Sequence, residues 1–196
     1  MTVNNRLEQQ LAFLTEADKL KSTLRATQLC DGSRRENSGE HSWHIALYAM
    51  ILSEHSNRKI NTARVINMLL IHDLVEIDAG DVPIHASYDE AKQHDIETAA
   101  ANRIFGLLPD DQRNELLALW HEFEAAESDD AIFAKSIDRV QPVVANLETN
   151  GGSWPDYNVT AKQLEDRVGV KVSRGAPGVW VFLQKRIAKW FDSQTG

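Results

Sequence analysis

Apolar residues spaced three or four positions apart run along nearly the whole chain, and that period favours helices packed on one another. Leu7, Leu11, Leu14, Ala17, Leu20 and Leu24 form the first stripe. A polar loop, Asp31 to Gly39, separates it from His41–Leu52, which is apolar nearly all round and predicts a central buried helix. Asn61 or Thr62 can cap the next helix, which carries Val65, Met68, Leu69, His72, Val75 and Glu76 and ends at Asp78-Ala-Gly-Asp-Val-Pro83. Ser87 and Glu90 make a capping-box pattern for a helix running to Phe105. Pro109-Asp110-Asp111 opens a helix carrying Leu116, Leu119, Trp120 and Phe123, and Asp129-Asp130 opens another through Ile132, Ile137, Val140 and Val144. After the break at Asn150–Pro155, helices are expected near 160–168 and 179–191. Val168–Val172 is the single strand-like alternation, and Gly169 weakens it. The expected fold class is all-α, one domain over residues 1–196 with a C-terminal helical extension at 156–196.

Charge narrows the function. Acidic residues number 29 against 21 basic ones, a net charge of −8. That field repels a long nucleic-acid backbone, whereas a few local arginines can still hold one phosphate, because distant charge is screened beyond ~10 Å. No apolar run approaches the ~18 residues of a membrane span, and the N-terminus lacks the layout of a signal peptide. The single cysteine, Cys30, asks for no oxidising compartment, so a cytoplasmic setting is expected.

The chemistry gathers around Leu70-Ile-His72-Asp73-Leu-Val-Glu76-Ile-Asp-Ala-Gly80-Asp81. An adjacent His-Asp pair inside an apolar helix is unusual, because burying an unpaired carboxylate costs several kcal/mol. A divalent cation compensates Asp73 and engages His72 at once; the bland reading is a hydrogen-bonded core histidine beside a surface aspartate. His94-Asp95 serves as an internal control, since it sits in a polar stretch and reads as a solvated helix face. Glu76, four residues after His72, falls on the same helix face, near enough to act on a water at the cation. His41 is the natural third ligand and Asp138, in Phe133-Ala-Lys-Ser-Ile-Asp-Arg-Val140, the fourth candidate. An ion pair of Asp138 with Lys135 or Arg139 is the equally weighted alternative. Pro142, lacking an N–H, leaves the Asp138 carbonyl without its helical partner.

The order His41 … His72-Asp73 … Asp138 resembles the signature of the HD-domain metal-dependent phosphohydrolases. Arg35-Glu-Asn-Ser-Gly-Glu-His-Ser-Trp43, His72-Asp73-x-x-Glu76-x-x-x-Gly80-Asp81-x-Pro83 and Lys135-x-x-Asp138 are similar to the branch holding 5′-deoxynucleotidases, over residues 10–148. The resemblance implies a helical bundle around one divalent transition metal held by His41, His72, Asp73 and Asp138. Nitrogen and oxygen donors suit Mn, Co, Fe, Ni or Zn without choosing among them. It also implies Glu76 and Asp81 as catalytic acids, and substrate contacts from Arg25, His41, Asp73, Asp81, Lys135 and Asp138, with Arg34, Arg35 and Arg139 nearby. The activity it implies is release of phosphate from nucleoside 5′-monophosphates, deoxyribonucleotides among them, by a homodimer. The alternatives are another phosphorylated metabolite, or a metal-containing nucleotide-binding module without catalysis. One departure stands out. Family members carry a tryptophan after the substrate arginine that crowds the sugar, whereas Arg25 is followed by Ala26-Thr27-Gln28.

Other chemically capable residues are given no site role. His44, His55, His85 and His121 are read as core, loop or surface histidines, and Trp120, Trp180 and Trp190 as core or dimer contacts. Cys30 has no sequence partner that would make it a nucleophile.

Overall fold

Side-chain caps from Asn37, Asn61, Asp89, Ser128 and Thr160 set five helix starts in the computed structural model, which describes residues 3–194. Helix α1 (Val3–Ala17) passes into a 3₁₀ turn, Asp18–Ser22. Strands β1 (Leu24–Gln28) and β2 (Arg35–Asn37) then pair antiparallel, Leu24 opposite Asn37 and Gln28 opposite Arg35. Asn37 and Glu40 form a capping box that starts α2 (Ser38–Leu52), and Asn61 caps α3 (Thr62–Ile71). The chain tightens into a 3₁₀ turn, His72–Val75, before the short α4 (Glu76–Ala79), which Gly80 closes with φ +73°. Asp89 caps α5 (Glu90–Phe105), Pro109 precedes α6 (Asp110–Ala125), and Ser128 caps α7 (Asp129–Glu148). A Thr160–Gln163 capping box opens α8 (Ala161–Leu164), followed by a π turn at Glu165–Gly169, α9 (Val170–Gly175) and α10 (Pro177–Gln194).

The all-α expectation holds, with a two-stranded ribbon added. Three local expectations are corrected. The first apolar stripe does not continue as helix to Leu24: α1 stops at Ala17, and the chain enters β1 with Arg25 and Thr27 buried. Val168–Val172 is helical, as the all-α reading has it, and Gly169 lies against the Trp180 indole, where a Cβ would come within 2.5 Å. Asp89 rather than Ser87 caps α5. Helix α2 is buried on one side only: His41, Ile45 and Ala49 face inward while Trp43, Leu47, Met50 and Ile51 remain exposed.

Two apolar clusters flank the His-Asp pair. One joins Ile45, Met68, Leu69, Phe123, Phe133 and Ile137 to Trp154, Leu164, Trp180 and Ile187 of the C-terminal segment. The other gathers Phe13, Leu20, Leu74, Val75, Ile104, Phe105 and Trp120. Leu69 belongs to the first and Leu74 to the second, so His72 and Asp73 lie at the seam between them. Helix α9 packs on α7 through Gly175, where a Cβ would meet Ser136 Oγ at 2.5 Å and the Phe133 Cα at 2.9 Å. Ser136 Oγ, which donates to the Ile132 carbonyl at 2.8 Å, also lies 3.1 Å from the Lys171 carbonyl and shares its proton between the two. Among the described residues no helix is long and apolar enough to cross a membrane.

Candidate metal centre

Three separate elements bring the four predicted ligands to one point. The capping box fixes the first turn of α2, so His41, the residue after Glu40, enters the core. His72 and Asp73 follow the end of α3, and Asp138 projects from the middle of α7. His41 Nε2 lies 3.1 Å from Asp138 Oδ1, and His72 Nε2 lies 3.7 Å from the same oxygen. Asp73 Oδ1 is 2.8 Å from His72 Nε2, and Asp73 Oδ2 is 3.9 Å from His41 Nε2. The ligand atoms of His41, His72 and Asp73 all lie within 4.8 Å of one another, and all three residues are buried.

The outer ring nitrogens decide what the inner ones can do. His72 Nδ1 lies 2.8 Å from the Leu69 carbonyl oxygen, which only accepts, so Nδ1 carries a proton. Gln141 Nε2 donates to Glu36 at 3.1 Å, which turns Gln141 Oε1 toward His41 Nδ1 at 3.0 Å and makes that nitrogen a donor too. Both Nε2 atoms therefore face the carboxylates of Asp73 and Asp138. His72 Nε2 is buried without a hydrogen-bond partner although an Asp73 oxygen is 2.8 Å away, an arrangement suited to metal ligation. The field points the same way. Burial disfavours a charged imidazole, but Asp73 and Asp138 outweigh it and push His72 up to about 10. Two imidazoles and two carboxylates thus fit a divalent transition metal, the ion the family resemblance implies.

Around this cluster lie the two further acids. Arg25 Nη1 donates to Asp73 Oδ2 at 2.8 Å and to Glu76 Oε1 at 3.4 Å, and lies 3.4 Å from Asp81 Oδ1. Its Nε is 3.6 Å from Glu36. Ser38 Oγ donates to Glu76 Oε2 at 2.5 Å. Burial and the nearby Asp73 charge raise Glu76 well above the usual carboxylate range despite Arg25. Burial raises Asp81 as well, again against the pull of Arg25. In Asp73, burial is outweighed by His72 and Arg25, which hold the carboxyl below its ordinary range.

A cavity of about 520 Å³ opens onto His72, Asp73, Glu76, Asp81 and Asp138. Arg25 and Lys135 also reach its wall, whereas His41 is wholly buried behind it. Lys135 is already engaged, 3.0 Å from Glu124 and 3.9 Å from the centre of the Phe123 ring. Arg34 pairs with Glu40 on the surface at 2.6 Å. Sequence reasoning passed over Glu36, Ser38, Gln141 and Lys171. His85 is a loop residue, as read from the sequence, and it borders the cavity, the alternative that reading left open. The Asp138-x-x-Gln141 spacing was the available signal for Gln141; nothing local marked Lys171. The histidines and tryptophans given no role divide as follows. His44 stacks on Trp43, with ring centroids 5.6 Å apart, while Trp180 is core. Trp120 is core too, and its Nε1 donates to the His72 carbonyl at 3.2 Å.

The chain is similar to known proteins in family, sequence and fold. The HD domain family model matches residues 17–180. The chain is 30% identical over 153 residues to 5′-deoxynucleotidase HDDC2 of Homo sapiens, covering 75% of this chain and 74% of that protein. It is 31% identical over 140 residues to a 5′-deoxynucleotidase of Shewanella oneidensis, covering 67% and 71%. A crystal structure of a predicted metal-dependent phosphohydrolase from Magnetospirillum magnetotacticum matches with a TM-score of 0.89 and 44% identity over 96% of each chain.

Proposed function

The chain belongs to the HD domain family, and from that premise we propose that it is a metal-dependent phosphohydrolase releasing phosphate from nucleoside 5′-monophosphates, deoxyribonucleotides included. The observation that carries this reading is the pairing of a cation-seeking cluster with two further partly buried acids, Glu76 and Asp81, that line the cavity it borders. A purely structural metal has no need of those acids.

His41, His72, Asp73 and Asp138 would hold the metal. When bound, it would polarise a phosphoryl oxygen and make water a better nucleophile near neutral pH. The remaining work falls to side chains. Arg25 holds Asp73, Glu76 and Asp81 in one group, which sets their oxygens toward the cavity. One of Glu76 and Asp81 accepts the proton of the attacking water, and the other returns a proton to the departing sugar oxygen. Burial raises both above their ordinary values, the direction that favours a proton-transfer group. Ser38 orients Glu76 through its hydroxyl. Ala26 lines the cavity next to Arg25, and its methyl crowds a sugar less than the tryptophan the resemblance implies there, so both ribose and deoxyribose forms are expected to react.

The test is a panel of ribo- and deoxyribonucleoside monophosphates, run on chelator-stripped protein and again after adding Mn or Co. Phosphate release that returns with the metal is expected. Absence of release at full metal loading would leave the binding-module reading. A homodimer is the matching assembly, two copies covering the apolar outer face of α2 formed by Trp43, Leu47, Met50 and Ile51. Trp43→Asp is expected to yield monomers by light scattering; an unchanged mass would move the interface elsewhere.

A further inference from the structure

Two of the cations that line the cavity are held by hydrogen-bonded carboxylates. Arg25 faces Asp73, Glu76, Asp81 and Glu36, and Lys135 faces Glu124. A phosphate ester entering the cavity therefore meets these charges largely neutralised. Two other cations on the same wall stand differently. Arg139 is three-quarters buried and forms an ion pair with Asp138, Nε to Oδ2 3.6 Å, the pairing weighed from the sequence; at that length it is no hydrogen bond, and among the described residues the guanidinium donates none. A guanidinium offers five donors, and a largely buried one that donates to no acceptor is rare in folded proteins. Lys171, carried to the cavity mouth by α9, has no carboxylate within ion-pair distance among the described residues. The wall around its stem and the charges of Arg139 and Lys135 hold its pKa below the ordinary lysine value. The same positive field reaches His85. Burial, then Arg167 and Arg139, lower that imidazole to about 4, so it stays neutral.

We propose that Arg139 and Lys171 form an anion subsite that takes the phosphate oxygens of the substrate turned away from the metal position. This rests on the phosphohydrolase reading for its substrate, although the subsite itself is defined by two cations that donate no hydrogen bond among the described residues and line one cavity. Lys171 comes from the C-terminal segment, and α9 is seated on α7 by Gly175 and by the Ser136 hydroxyl on the Lys171 carbonyl. The C-terminal helices thereby supply part of the substrate wall as well as part of the core.

Lys171→Met keeps the aliphatic stem, removes the charge and touches none of the metal ligands. On metal-loaded protein it is expected to raise both KM for a nucleoside monophosphate and the inhibition constant of inorganic phosphate by roughly three- to tenfold, as for a partly screened charge-assisted bond. The effect on kcat should be smaller and metal content should match the unmodified protein. Lys171→Arg should restore most of the loss, and the salt dependence of KM should flatten in Lys171→Met. Arg139→Gln should raise the same two constants further. Unchanged KM and phosphate inhibition in both variants would overturn the proposal, as would a rise that tracks lost metal. Should the unmodified protein hydrolyse no monophosphate, the activity fails while the subsite is still judged by calorimetry. Weaker binding of inorganic phosphate to metal-loaded Lys171→Met supports it, and equal binding refutes it.

Discussion

Gln141 gives the sharpest handle on how the metal centre is held. Its amide oxygen fixes the outer nitrogen of His41 at 3.0 Å, and its NH₂ satisfies buried Glu36 at 3.1 Å. Gln141→Leu keeps the size of the side chain and removes both bonds. His41 Nδ1–H and Glu36 each lose a buried partner at about 1–3 kcal/mol apiece, so the apoprotein should lose about 2–6 kcal/mol. For a chain of this length that lowers Tm by roughly 4–24 °C. Freed of its outer bond, the His41 ring is less well aimed, and metal affinity should fall roughly 10- to 100-fold. Chelator-competition titration with Mn or Co measures the second quantity, and thermal unfolding without metal measures the first. Gln141→Glu separates the two roles. A carboxylate still accepts from His41, so affinity should largely survive, but it faces Glu36 and should cost stability. If Gln141→Leu binds metal as tightly as the unmodified protein, the orientation argument is wrong.

Two further outcomes are expected. Glu76→Ala should retain the metal while kcat falls roughly 10²- to 10⁴-fold, the range of a lost proton-transfer group; unchanged turnover would remove Glu76 from the chemistry. Gly175→Ala forces a methyl against Ser136 Oγ and the α7 backbone and should destabilise the fold by about 1–3 kcal/mol in denaturant titration. A neutral result there would mean that α9 shifts without penalty, and KM would then report whether Lys171 moves with it.

Much of this was legible in the residues. His41, His72, Asp73 and Asp138 converge as their order and apolar surroundings implied. The Asn61 cap and the acidic start of α6 were readable too, because capping depends on neighbours in sequence. What escaped depends on partners far along the chain. Leu24 continues a helical period on paper, yet β1 exists because Gly32, with φ +69°, lies in the loop that brings β2 back beside it. Glu76 was placed one α-turn beyond His72, but the 3₁₀ turn breaks that phase, and Glu76 is positioned by Arg25 and Ser38 instead. The apolar circumference of α2 suggested full burial, but composition counts hydrophobic residues without saying what covers them, and Trp43 is 63% exposed. Lys171 carries no local mark, since its place at the cavity is created entirely by the crossing of α9 over α7.

The two metal-facing imidazoles are anchored by different materials. One outer nitrogen rests on an amide side chain that a single codon change can replace; the other rests on the Leu69 main-chain oxygen, which every amino acid supplies. Mutation can therefore adjust the basicity of the His41 ring freely while that of His72 stays pinned to the backbone. Any drift of metal preference among descendants of this chain should be written first at position 141.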